Sequence, residues 1–319
     1  VNLHYLILAH TQPAQVRRLV DRLLGPNTYF YVNIDASVEL QPFIEAFRGS
    51  PPEVNLLSDR ERYATSWGDI SLVDATLNLL RLALATDKDG YCILMSGQDY
   101  PLRSNQRIRN FFQQRPTTNY LESFKLPTKL WCRGGMARIN DYKFNLSGQR
   151  EDCVVIPPIF TRRFFRLGVL KRWTKALARG KLIAHRKLLR RRKFPAYLEP
   201  YGGEHWWALT TDTVKDVLAF LIDHPDYRIY HEDTVLVEEI FLHSIVNHLY
   251  RDRPERIAPK VTYANWNEES ESGPVNFRLQ DLDLIKGLSP SFLFARKFDQ
   301  TEDAEILNAL DAYRGEVSV

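Results

Sequence analysis

Tyr91-Cys92-Ile93-Leu94-Met95-Ser96-Gly97-Gln98-Asp99-Tyr100-Pro101-Leu102-Arg103 decides the fold class, because an apolar run ends abruptly in Gly-Gln-Asp and Tyr-Pro. A short continuous apolar run closed by Gly and Pro reads as a strand buried on both faces of an α/β sheet. In open α/β folds the carboxyl ends of such strands face the ligand crevice, so Gln98 and Asp99 stand where binding or chemistry is done. The alternative is a tight turn in which Asp99 caps the next helix, and the segment alone favours neither.

The neighbouring sequence extends the α/β reading. Residues 3–8 read as a buried first strand, and Pro13 suits the first turn of a helix with Val16, Leu19, Val20, Leu23 and Leu24 on one face, stopped by Gly25-Pro26-Asn27. A second strand over 28–34 ends at Asp35, a helix covers 40–47 and a short strand 54–57. This β-α-β-α-β opening implies a parallel sheet with right-handed crossovers. Asp69 is placed to cap a helix over 70–85, and Ser104 one over 105–114. Residues 119–160 show weak periodicity and are expected to form irregular strands and loops. Beyond them a strand is expected at 206–210 and helices at 213–224 and 237–247, the latter with Glu238 and Glu239 in its first turn. A polar loop over 265–274 leads to a final helix from about Thr301.

With 319 residues, 44% hydrophobic and 26% charged, the chain can bury a large core. The net charge of +4 is modest, yet residues 162–193 hold no acid among many Arg and Lys. Such a stretch suits a phosphate-bearing ligand, a nucleic acid or an anionic membrane surface, or is simply the solvated face of one or two amphipathic helices. Cys92, Cys132 and Cys153 have neither disulfide-framework nor metal-ligand spacing, which fits a reducing compartment. No apolar stretch reaches the roughly 20 residues of a membrane span, and the sequence, as it opens on a strand, is expected to carry no signal peptide. A soluble protein is expected.

Several motifs are missing: Gly-x-Gly-x-x-Gly after the first strand, a Walker-type loop, a Gly-x-Ser-x-Gly elbow and His-Glu-x-x-His. The strand ends instead carry single polar groups: His10, Asp35, then Gln98 and Asp99. Asp35 is either a turn residue or an acceptor for a ribose or base. Glu238 and Glu239 suit a helix start electrostatically, and a carboxylate beside a sugar hydroxyl also serves as general base. Trp206 and Trp207 offer faces for sugar rings with Glu204 beside them, but adjacent strand residues face opposite ways, so at most one lines a site. Arg278 and Lys297 are either surface cations or a pair able to neutralise a diphosphate leaving group in place of a metal.

Together these residues resemble the core-2/I-branching β-1,6-N-acetylglucosaminyltransferase family, glycosyltransferase family 14, which also contains the peptide-O-xylosyltransferases. The matching blocks run in the family's order: Leu8-Ala9-His10, Val32-Asn33-Ile34-Asp35, Tyr63 to Trp67, Ser96 to Pro101, Gly202 to Thr210, Glu238-Glu239-Ile240-Phe241, Tyr263 to Trp266 and Phe294 to Asp299. The resemblance implies an α/β protein with a single GT-A domain, its Rossmann-like nucleotide-binding half at 1–115 and its acceptor and catalytic half at 116–319, interrupted by a basic helical insertion at about 162–193. It implies an inverting transfer from a UDP-sugar, expected to be UDP-N-acetylglucosamine, to a hydroxyl of a glycan, with no metal and no cofactor; an Asp-x-Asp motif is not evident here. Glu239 falls on the family's catalytic base, with Glu238 where the family has Asp. Arg278 and Lys297 fall on the diphosphate-binding cations, His10, Asp35 and Asp99 in the UDP-binding part, and Glu204, Trp207 and Trp266 at the acceptor site.

The animal members carry a membrane stem and several disulfides, and the departure of this sequence from both leads to the expectation of a bacterial, cytoplasmic relative. The basic stretch is then expected to dock on anionic lipid at the inner membrane face, and no nucleic-acid partner is expected. The rival readings are the same fold using UDP-xylose or UDP-glucose, a catalytically silent glycan- or nucleotide-binding module, and a nucleic-acid binder working through 162–193.

Overall fold

The computed structural model describes residues 1–147, 152–180, 184–266 and 273–313. The expected loop over 265–274 and the basic stretch over 162–193 therefore lie partly outside the described residues. The chain opens β1 (Asn2–Ala9), α1 (Pro13–Leu23), β2 (Thr28–Ile34), α2 (Gln41–Ala46), β3 (Val54–Leu56), α3 (Ile70–Leu84), β4 (Gly90–Ser96), β5 (Asp99–Pro101) and α4 (Asn105–Gln114). Shorter elements follow: β6 (Asn119–Tyr120), β7 (Phe124–Lys125), α5 (Met136–Asn140), β8 (Tyr142–Asn145), β9 (Cys153–Ile156), α6 (Leu167–Ala178), α7 (Ala184–Leu188) and β10 (Tyr201–Gly202). The last third holds β11 (Ala208–Thr210), α8 (Thr211–Asp223), α9 (Pro225–His231), α10 (Phe241–Leu249), β12 (Ile257–Ala258), β13 (Thr262–Ala264), α11 (Leu282–Lys286), β14 (Phe294–Arg296) and α12 (Glu305–Tyr313).

The central sheet has seven strands in the order β12-β6-β11-β4-β1-β2-β3. β4, β1, β2 and β3 run parallel, while β11 is antiparallel to both β4 and β6, so the sheet is mixed. The apolar runs of β1 and β4 are continuous because both faces are covered. Leu3, Tyr5, Ile7, Tyr91, Ile93 and Met95 pack with α1, α2, α4 and α12, whereas Leu6, Leu8, Cys92 and Leu94 pack with α3, α8 and α10. This is the α/β class that the sequence implies, its parallel opening strands joined by the antiparallel β11 into a mixed sheet.

Local signals hold at several ends. The Asp69 carboxylate accepts from the Ser71 amide and the Ser104 hydroxyl from the Arg107 amide, capping α3 and α4. The expected helix over 237–247 is broken. Leu236 sits at φ 53°, Val237–Glu239 form one 3-10 turn, and α10 begins only at Phe241 after Ile240 at φ −128°. The carboxylates are thus set on a separate turn rather than along a helix.

A second, three-stranded sheet, β13-β14-β5, closes the carboxyl edge of the first. Its register sets Arg296 opposite Asp99 and Ala295 opposite Tyr100. The buried Gln15 of α1 ties the two sheets: its Nε2 donates to Gly97 O (3.0 Å) and Phe298 O (2.9 Å), and its Oε1 accepts from Gln300 N (2.7 Å). Both polar atoms of that side chain are satisfied by partners as far as 285 residues away in sequence, which fixes the C-terminal segment over the turn after β4.

Candidate active site

The polar groups foreseen at the strand ends lie on one line along the carboxyl edge. Asp35 N donates to Ala9 O (2.8 Å), Gly97 N to Leu8 O (2.9 Å) and Phe298 N to Gln98 O (2.8 Å), so the ends of β2, β1 and β4 and the segment after β14 are backbone neighbours. His10 is exposed at the end of β1. Asp35 is largely consumed by its own loop. It accepts from Ser37 N (2.8 Å), Ser37 Oγ (2.5 Å), Thr65 N (2.8 Å) and the Thr65 hydroxyl. Burial works against its charge, but these bonds outweigh burial and hold its pKa below the usual carboxylate range.

Asp99 is fully buried and serves a neighbour. Its Oδ2 accepts from Ser96 N (2.9 Å) and its Oδ1 lies 3.7 Å from Arg296 Nη1. Burial pushes its pKa up to about 6, with Arg296 and then Lys297 opposing, so it is an anion inside the fold at neutral pH. Asp99, expected in the UDP-binding part, has no exposed surface here and stands as the counter-ion of Arg296. Arg296 in turn lies over the ring of Trp206, 3.7 Å from its centroid.

Arg278 and Lys297 meet at one seam, because Phe277 N donates to Lys297 O (2.8 Å). The Lys297 ammonium stands near Gly273, where an added Cβ would be 3.5 Å from Nζ. Arg278 is exposed, lies 3.5 Å from Glu302, and lines a polar groove of about 500 Å³ with Asn265, Asn276 and Asp281.

The acidic half is assembled by a close backbone approach. Gly203 N donates to Glu239 O (3.0 Å), and an added Cβ on Gly203 would stand 2.0 Å from Glu122 O, so only glycine lets this strand of chain pass between them. Glu122, Glu204 and Glu239 are thereby gathered. Lys260 bridges two of them, 2.5 Å from Glu204 Oε1 and 3.4 Å from Glu122 Oε1. Trp266 Nε1 donates to the same Glu204 oxygen (3.0 Å), leaving Glu204 Oε2 buried without a hydrogen-bond partner. Glu239 Oε2 accepts from Arg138 Nη2 at 2.7 Å.

The two adjacent glutamates are driven apart electrostatically. Burial, and then the charge of Glu239, push Glu238 up to about 8; its Oε2 has no hydrogen-bond partner. Burial also raises Glu239, with Arg138 opposing and Glu204 and Glu122 adding to the rise. At neutral pH Glu238 is a protonated acid, while Glu239 has a cation to hold its charge. Environments that separate two carboxyls in this way define distinct roles.

Trp207 corrects an expectation. Its indole is only 1% exposed, packed in the core between β4 and the α3, α8 and α10 layer, and has no surface to offer an acceptor. Period-two alternation instead turns Trp206 toward Arg296. Arg138, Glu122, Lys260 and Arg296 were not foreseen; of these only Arg296 stood within a motif quoted above. Among the described residues no group of three or more His, Cys, Asp or Glu is placed to hold a metal ion, and no helix is long and apolar enough to cross a membrane.

Polar groups beyond the carboxyl ends of the parallel strands of an α/β domain stand where such folds hold their ligands. The family model for the Core-2/I-Branching enzyme matches residues 3–289, and the chain belongs to that family. It is 23% identical over 344 residues to xylosyltransferase 2 of Mus musculus, covering 98% of this chain and 33% of that one. It is also 23% identical over 332 residues to a xylosyltransferase of Ciona intestinalis, covering 98% and 34%. The chain thus spans about a third of the length of the curated relatives it matches. A mannose-1-phosphate geranyltransferase from Thermus thermophilus superposes with a TM-score of 0.30 at 9% identity over 76% of this chain and 72% of that one, which carries no argument about fold.

Glu238 yields a stability test. Its folded pKa, about 8, is above that of an unfolded glutamate, so between the two the native state binds the extra proton and stability falls as pH rises. Glu238→Gln removes that dependence. The substitution is expected to raise stability by roughly 2–3 kcal/mol at pH 7 and to make little difference at pH 4, read by urea unfolding at both pH values. An equal effect at both pH values contradicts the assignment.

Proposed function

We propose that this chain is an inverting glycosyltransferase that moves a sugar from a UDP-sugar to a hydroxyl of a glycan or glycoconjugate, without a divalent metal. The observation that supports the reading is the link from the ion-paired Glu239 through Gly203 to Glu204 and Trp206, over which lies Arg296, the residue before Lys297. In this reading Glu239 removes the proton from the acceptor hydroxyl as its oxygen bonds to the anomeric carbon from the face opposite UDP. The bond from that carbon to the diphosphate oxygen breaks, the electron pair leaves with UDP, and Arg278 and Lys297 offset the growing charge. His10 and the Asp35 loop flank the nucleoside. Glu204, Trp266 and, in place of Trp207, Trp206 flank the acceptor.

N-acetylglucosamine is the donor sugar expected from the sequence, and the names of the relatives put xylose beside it. The deciding experiment is calorimetric titration of UDP, UDP-N-acetylglucosamine, UDP-xylose and UDP-glucose with and without EDTA, followed by UDP release from each binder. Binding unchanged by EDTA, weakened about tenfold or more by Lys297→Ala, with one donor turned over, is expected. Binding abolished by EDTA rejects the metal-free reading, and no UDP binding at all rejects the donor.

The basic stretch supports a second proposal, a cytoplasmic protein in peripheral contact with the inner membrane face. Part of its charge is internal: Arg163 pairs with Asp141, Lys175 with Asp152 and Lys187 with Asp233, while Arg192 is buried. Outward it presents Phe160, Phe165 and Leu167, each more than half exposed, beside exposed Arg162 and Arg166. Apolar side chains among cations suit an anionic bilayer. Sedimentation with phosphatidylglycerol vesicles but not phosphatidylcholine ones, lost at high salt and in Phe165→Ser/Leu167→Ser, is expected. Sedimentation with neither lipid, or equally with both, removes the proposal.

A further inference from the structure

Glu239 sits in surroundings that oppose its charge. It is largely withdrawn from water, with Glu238 on the same turn, Glu204 on the link from β10 to β11 and Glu122 after β6, all acidic. The other charged or titratable groups on the packed elements include Lys260 before β13, engaged by Glu122 and Glu204, Lys143 on β8, Arg296 on β14 near Glu204, His205 beside Glu204, which burial and then Arg296 and His243 push down to about 3, and His243 on α10, whose Nε2 lies 2.9 Å from the Glu204 carbonyl. Lys143 is committed elsewhere, donating to the Trp67 and Gly68 carbonyls. Arg138 on α5 is the cation that bonds the Glu239 carboxylate.

Arg138 is held in place by more than that bond. Its guanidinium carbon lies 3.6 Å from the ring centroid of Trp131, a cation–π contact that holds the group against the ring. Trp131 in turn is pressed against Gly202, where an added Cβ would stand 2.5 Å from its ring. The next residue on α5, Ile139, shares one apolar cluster with Ile240, the residue after Glu239, and with Leu126. Arg192 Nη1 donates to Arg138 O (3.2 Å) and Asp141 O (2.6 Å), bracing the end of α5. The spacing between guanidinium and carboxylate is therefore set from both sides.

We propose that Arg138 is the positioning residue of the active site, holding and aiming the Glu239 carboxylate through a guanidinium clamped between that carboxylate and the face of Trp131. The inference rests on Glu239 being the general base of the proposed reaction. Arg138 need not touch either substrate; it acts by lowering the pH at which Glu239 becomes competent to take a proton, against burial and against Glu204 and Glu122.

The test is the pH profile of kcat for the wild type, Arg138→Met, Arg138→Lys and Gly202→Ala, together with titration of the Glu239 carboxyl by difference infrared spectroscopy against Glu239→Gln. The wild-type profile has an acid limb governed by Glu239. Arg138→Met is expected to move that limb to higher pH, costing about tenfold or more in rate at a pH below it and much less on the plateau, and to move the carboxyl band in the same direction. Arg138→Lys, which keeps the charge, is expected to restore most of the limb. Gly202→Ala, which displaces Trp131, is expected to shift it as Arg138→Met does. A uniform loss of kcat at every pH with an unmoved carboxyl band overturns the proposal and leaves Arg138 a packing residue. A shifted band with an unshifted limb supports the charge-setting contact and instead overturns Glu239 as the base, so the two failures are distinguishable.

Discussion

The ion pair of Glu239 with Arg138, set among burial and like-charged neighbours that oppose a carboxylate, is the constraint around which the surrounding residues are arranged. Glu239 sits with Glu204 and Glu122 because Gly203 threads its backbone between them, and Arg138 at 2.7 Å opposes the rise in pKa that burial and those acids cause. Each requirement imposes another. Arg138 must be stacked, so Trp131 must lie close, so Gly202 can carry no side chain. Glu204 needs its own cation, and Lys260 at 2.5 Å supplies it. Glu238, next along the chain but without a cation in contact, follows burial and takes up a proton.

The cationic seam answers a different requirement, that of holding cations over the carboxyl edge of a sheet whose own strands contribute few charges there. The sheet alone does not build that edge. The C-terminal segment returns across it, fixed by Gln15 and by the antiparallel pairing of β14 with β5, and it brings Arg296, Lys297 and, one backbone bond away, Arg278. Asp99, beneath them, is what makes a buried Arg296 tolerable, since a lone buried cation costs far more than a paired one. Arg296 over Trp206 then joins the cationic seam to the acidic cluster through Glu204. The two halves are one electrostatic unit.

Much of the frame was legible in the sequence because its causes are local. Continuous apolar runs gave β1, β2 and β4, the Asp69 and Ser104 side chains capped the helices they precede, and alternation foretold that Trp206 and Trp207 would face apart. Which tryptophan turned inward was not legible, since that depends on the sheet face covered by α3, α8 and α10. The break at Ile240 was hidden because Val237, Phe241, Ile245 and their neighbours keep a helical pattern through it; the left-handed Leu236 that resets the chain is chosen by a contact, its N–H bonding to Gly68 O (3.0 Å). Arg138, Glu122 and Lys260 escaped because they act across irregular backbone from distant stretches, with no spacing to mark them. Arg192 was concealed in a run of cations and is nonetheless buried, donating to four backbone carbonyls and to Thr234.

The central claim is that Glu239 is the general base, and the most direct measurement compares donor binding with turnover in Glu239→Gln. The isosteric amide keeps the shape of the site and removes the proton acceptor, so the account predicts UDP-sugar affinity within a few-fold of wild type and a loss of about 10²–10⁴-fold in kcat across the pH range. Turnover near the wild-type level with intact donor binding would contradict it.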